Sequence, residues 1–136
     1  MTIKTVLLTG IFVLICLVSG CQKLPFKVVK LEGTLKYAGE PLENYEISFI
    51  PEGDGRQSSA IAGTGGRFKA KYSPTVMGVQ TGKLFVKIIP LVSVGPGETH
   101  NFTDKEKELN QKYGYASQGF PIEVTKANKN FVIDLP

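Results

Sequence analysis

A chain of 136 residues makes one ordinary domain at most. Its composition of 42% hydrophobic, 10% aromatic and 21% charged residues is that of a folding globular chain, which excludes wholesale disorder. The net charge of +4 comes from 16 basic and 12 acidic side chains that alternate along most of the chain instead of gathering in a stripe, so a dedicated nucleic-acid binder is not expected.

The first element is Val6 to Val18, thirteen mostly apolar residues behind the amino terminus and Lys4. A spanning helix needs roughly 20 apolar residues, whereas the apolar centre of an export signal needs about 7 to 15, so residues 1–20 read as a signal peptide. Next comes Val18-Ser19-Gly20-Cys21, a branched apolar residue, two small residues and a cysteine. This run resembles the lipobox of bacterial lipoproteins. The resemblance implies cleavage between Gly20 and Cys21, with small side chains fitting the peptidase cleft, and lipidation of the Cys21 sulfur by acyl chains such as palmitate.

The expected mature chain runs from Cys21 to Pro136, 116 residues with 15 basic and 12 acidic side chains, a net of +3. Cys16 leaves with the signal and Cys21 becomes a thioether, so neither a free thiol nor a disulfide is expected and stability must come from an apolar core. Each buried acyl methylene is worth about 0.8 kcal/mol, which makes a tether of two or three chains nearly permanent. By the sorting rule of two-membrane bacteria, Gln22 after the cysteine implies the outer membrane, facing the periplasm. In a single-membrane cell the same tether would face the cell surface.

Cys21 to Lys27 reads as a short lipidated tether broken by Pro25, with the domain occupying residues 28–136. Val29, Leu31, Gly33, Leu35 and Tyr37 alternate with charged and polar residues, the period-two signature of a half-buried strand. Ala38-Gly39-Glu40-Pro41 turns the chain before Tyr45, Ile47 and Phe49 resume the alternation in a hairpin-like connection, which Pro51 ends. Ser58 to Thr64 and Arg67 to Tyr72, joined by Gly65-Gly66, are expected to form a second turn-linked pair. Ser73 to Gly82 lacks periodicity and reads as a loop, and Lys83 to Ile89 is the most strand-like stretch, with Leu84, Val86 and Ile88 inward.

Pro90 to Gln118 is expected to be a long loop with one short helix, opened by a capping box at Thr103-Asp104-Lys105-Glu106 and ending near Tyr113. Pro121 to Thr125 and Asn130 to Leu135 read as a closing hairpin contributing Ile122, Val124, Phe131, Ile133 and Leu135 to the core. Seven short strands with little helix predict an all-β fold, a seven-stranded antiparallel β-sandwich.

A larger pattern spans Val28 to Ile89: Leu31-Glu32-Gly33-Thr34-Leu35, Gly39-Glu40-Pro41-Leu42, Ile47-Ser48-Phe49-Ile50-Pro51, Gly66-Arg67-Phe68 and Gly82-Lys83-Leu84-Phe85-Val86. It resembles the carboxypeptidase regulatory-like, or transthyretin-like (prealbumin-like), domain. Gly65 departs from that family's usual Asp or Asn. The motifs are turns and core positions, which specify a fold better than an activity.

Chemistry-bearing residues are sparse. His100 is the only imidazole, with no free cysteine or second histidine to complete a metal shell, so it reads as a surface histidine. Asp104 four residues on does not make a triad. Glu52 and Asp54 are too few for a cation site, and the glycines form turns instead of a phosphate loop. The expectation is therefore a non-enzymatic chain with no catalytic residue, metal or cofactor: a structural or interaction module of the cell envelope, held to the membrane through the lipid on Cys21. A carbohydrate- or peptide-binding lipoprotein is the alternative, and a small hydrolase a distant third. Contact with an envelope protein or glycan partner is expected at Leu91 and Val92, in an apolar stretch of the long loop, together with Phe102, Tyr113, Tyr115 and Phe120, because aromatic side chains on loops supply rigid contact area.

Overall fold

The computed structural model describes residues 26–136. The proposed signal peptide, Gly20, Cys21 and the tether up to residue 25 lie outside the described residues. In chain order the strands are β1 (Val28–Val29), β2 (Leu31–Tyr37), β3 (Glu40–Pro41), β4 (Tyr45–Pro51), β5 (Ser58–Ala62), β6 (Arg67–Lys69), β7 (Lys71–Ser73), β8 (Val76–Met77), β9 (Val79–Gln80) and β10 (Gly82–Pro90). A helix, α1 (Asp104–Tyr113), follows, and then β11 (Phe120–Val124) and β12 (Asn128–Leu135).

These strands build a six-stranded antiparallel sheet in the order β11-β10-β4-β5-β7-β8 and a four-stranded sheet around β2, while β1 and β9 form a small antiparallel pair. One core lies between the sheets. Leu31 and Leu35 of β2, Phe68 of β6 and Ile133 and Leu135 of β12 meet Ile47 and Phe49 of β4 and Leu84, Val86 and Ile88 of β10, all buried. The rings of Phe49 and Phe68 touch across the layers, 5.8 Å between centroids. The alternation along β2, β4 and β10 thus does what its period requires, and the result is an all-β, sandwich-like domain with one short helix.

Several expected pairings differ. The chain from Pro121 to Leu135 is not a hairpin: β11 joins β10 in the six-stranded sheet, while β12 crosses to the other sheet. There it lies parallel to β2, so the domain is not wholly antiparallel. The Gly65-Gly66 turn likewise links strands of different sheets, since β6 pairs with β2 and only β7 pairs with β5. The stretch Arg67 to Tyr72 switches sheets at Ala70, whose amide donates to the Leu31 carbonyl. Within the expected loop from Ser73 to Gly82, Val76–Met77 and Val79–Gln80 form short strands.

Two backbone positions explain local choices. A Cβ at Gly33 would collide with the Phe131 carbonyl, so glycine permits the close approach of β12. Ala38 (φ 50°) and Gly39 (φ 81°) form the two-residue turn between β2 and β3, the positive-φ pattern that matches the twist of a hairpin. The expected hairpin partner, β4 with Tyr45, Ile47 and Phe49, lies instead in the six-stranded sheet between β10 and β5.

The strands give the domain two ends. Thr81 donates its amide to the Lys27 carbonyl at 2.9 Å, and the Asn128 amide reaches the Lys30 carbonyl at 3.0 Å. The chain therefore enters beside the start of β10 and the turn before β12. At the far end Leu91 donates to Asn44, and α1 closes the core with Leu109, which is fully buried.

Candidate functional site

The far end is built around α1 and the loop preceding it. Thr103 caps the helix, its hydroxyl accepting the Glu106 amide at 3.2 Å, while Glu106 Oε2 accepts the Thr103 amide at 2.8 Å. The expected capping box is thus present in full. His100 Nε2 sits 3.2 Å from the same Glu106 oxygen, and its ring meets Phe102 edge-on at 4.8 Å. The Thr103 amide, followed by His100, holds the Glu106 carboxyl below its ordinary range. One carboxylate therefore fixes both the helix start and the last residues of the loop.

On the adjoining side of α1, Tyr37 donates its hydroxyl to Glu108 at 2.8 Å, and Lys112 donates to the same oxygen at 2.8 Å. Bonding to Lys112 and then Tyr37 lowers the Glu108 carboxyl, and Glu108 in turn raises Lys112 and Tyr37. These contacts seat the helix on the end of β2.

Between α1 and the end of β10 lies a groove of about 300 Å³. Ile89 and Pro90 line it from the strand, Phe102 and Tyr115 from the segments flanking the helix, and Glu106, Lys107 and Asn110 from the helix itself. Phe102 is 46% and Tyr115 55% exposed, although both are large and apolar in body. Lys87 donates to the Tyr115 carbonyl at 3.0 Å, which ties that segment to β10. Leu91 and Val92 continue the exposed apolar strip directly from Pro90.

Of the six residues expected to meet a partner, the structure brings Phe102 and Tyr115 together across the groove and leaves Leu91 and Val92 exposed beside it. Tyr113 belongs to the core instead: it is buried, and its hydroxyl donates to the Pro136 carbonyl at 3.0 Å. Phe120 is half-buried against it, ring to ring at 6.3 Å. The polar side of the groove, Glu106, Lys107 and Asn110, escaped sequence reasoning. Asn110 follows Glu106 by four residues and Lys107 by three, which groups the three along one flank of the buried Leu109–Tyr113 face, but that spacing alone does not show that a groove lies beside them.

His100 lies at the surface end of this site, 30% exposed and bonded to Glu106. Glu52 and Asp54 lie at the opposite end of the domain, where Gln80 donates to the Asp54 carbonyl at 3.0 Å. Among the described residues, no three His, Cys, Asp or Glu side chains gather as a metal site, and no helix is long and apolar enough to cross a membrane.

No protein-family model, curated protein or solved structure matches the chain. The groove is therefore read on its own chemistry: two aromatic rings and two aliphatic side chains supply shape and apolar area, and a lysine, a carboxylate and an amide stand at its edge.

Proposed function

We propose that this chain is a lipid-anchored, non-enzymatic interaction module of the bacterial cell envelope, tethered through Cys21 and contacting an envelope protein or glycan through the groove beside α1. The observation that carries the recognition half is the pair of exposed rings, Phe102 and Tyr115, facing a common groove. Rigid aromatic surface of this kind binds sugars or apolar side chains with little loss of conformational freedom. Supporting the anchor half are the short apolar run Val6 to Val18 and Val18-Ser19-Gly20-Cys21 at its end. On this reading the sheets form a transthyretin-like sandwich with seven principal strands: β2, β4, β5, the β6–β7 stretch, β10, β11 and β12. In its support, the turn and core motifs noted in the sequence fall at strand ends and buried positions of one core.

The test has two arms. Cys21→Ser is expected to abolish palmitate incorporation and processing in cells, and labelling that persists in that variant refutes the anchor. In the second arm, the lipidated chain in detergent is screened on arrayed bacterial glycans and on a random-peptide library. A ligand found there should lose about tenfold or more in affinity with Phe102→Ala or Tyr115→Ala, the loss typical of a contact hot spot. Binding that survives both substitutions places recognition elsewhere.

A further inference from the structure

We infer that the end of the domain where the tether enters is itself a membrane contact, in which Lys27, Lys30, Lys83, Lys126 and Lys129 rest against anionic phospholipid headgroups. The inference rests on lipidation at Cys21 as proposed above.

The five lysines come from separate parts of the chain, and the topology brings them to one end. Lys27 is fixed beside Thr81 through its carbonyl, one residue before β10 begins and two before Lys83. Lys30 is joined through its carbonyl to Asn128, whose neighbours in the turn and at the start of β12 include Lys126 and Lys129. Gly82 pairs with Val124, which closes the set. All five side chains are exposed, and among the described residues none is in an ion pair.

Charge is distributed unevenly between the two ends. Beside these five lysines stand Glu52, Asp54 and Glu123, with Glu32 nearby offset by its ion pair to Lys69, a net of +2, and Lys23 in the sequence before them adds one more. The opposite end, from Leu91 to Tyr113, carries Glu98, Asp104, Glu106 and Glu108 against Lys105, Lys107 and Lys112, a net of −1. An anionic bilayer attracts the first end and not the second.

Reach decides whether that attraction is felt. Cys21 and Lys27 are six residues apart, a span of at most roughly 21 Å when fully extended. This is about two screening lengths at 0.1 M salt, and any slack in the tether brings the lysines closer. A near-permanent acyl anchor and a weaker basic patch would then act on one surface, the anchor holding the chain there and the patch orienting the domain. The groove residues Ile89 and Pro90 lie six and seven residues beyond Lys83 along β10, roughly 20–23 Å away, and would face away from the bilayer.

The experiment uses the full lipidated chain in vesicles of phosphatidylcholine alone or of an equal mixture with phosphatidylglycerol, each carrying a headgroup nitroxide quencher. A fluorophore is placed at Thr125→Cys near the lysines or at Glu98→Cys near the groove; lipidation leaves no other thiol to react. Quenching at position 125 is expected to be at least about twofold stronger in the anionic vesicles, with no difference at position 98. High salt on the wild-type surface, or Lys→Gln at all five positions, should erase that difference. Equal quenching at position 125 in both vesicles, or a difference that survives high salt, overturns the inference. Palmitate incorporation is followed in the same samples. Its absence removes the anchor and the docking together, whereas equal quenching with palmitate in place removes the docking alone.

Discussion

Ala38 and Asn44 are the two non-glycine residues with positive φ among those described, at 50° and 62°. A Cβ in this left-handed region clashes with the following carbonyl, and asparagine offsets the penalty better than alanine because its side chain bonds locally. Asn44 therefore suits its place, while Ala38 does not. Ala38→Asn should stabilise the domain by about 0.5–1 kcal/mol, read as a rise in the urea midpoint at constant slope. The position was legible as a turn from Ala38-Gly39-Glu40-Pro41, but its strain was not, since only the backbone geometry reveals which of the four residues takes positive φ.

Among the elements, α1 depends most on its first turn. Thr103→Ala removes an acceptor for one helix amide and should cost about 1 kcal/mol, a fall of roughly 4–8 °C in melting temperature for a domain of this size. The Glu106 carboxyl is held below its unfolded value, first by the Thr103 amide and then by His100, so its contribution is complete above the ordinary carboxyl value of 4.5. That contribution is lost as pH falls through the folded-state value. Glu108, lowered by Lys112 and Tyr37, adds stability in the same direction. Glu106→Gln keeps a capping-box acceptor but not the charge, so it should flatten the acid side of the melting-temperature profile; an unchanged acid limb would separate Glu106 from acid stability.

The helix and its cap were legible because capping boxes are local, whereas sheet membership was not. A period of two tells which face of a strand is buried and is silent on which neighbour supplies the hydrogen bonds. That is why β11 and β12, both read as strands, were expected to pair with each other. The same limit applies to the groove: Phe102 and Tyr115 stood out by type, but only the packing of α1 against β10 decides that they share a cavity while Tyr113 turns inward.

At the scale of the whole molecule, stability rests on contact between the two layers, without disulfides among residues 26–136, which contain no cysteine. Phe49 and Phe68 meet across that interface with their rings tilted at 44°. Phe49→Leu and Phe68→Leu should each destabilise the domain, and the double variant should show a coupling of about 0.5–1.5 kcal/mol in a thermodynamic cycle. Strictly additive losses would mean that the rings do not support each other.

The parallel pairing of β2 with β12 joins segments about a hundred residues apart in sequence. Hydrogen bonding along that side of β2 waits for β12, so the four-stranded sheet cannot close until a segment about a hundred residues further along has been synthesised. For the export proposed above, such late closure would keep the chain open during transit and let it assemble only after release.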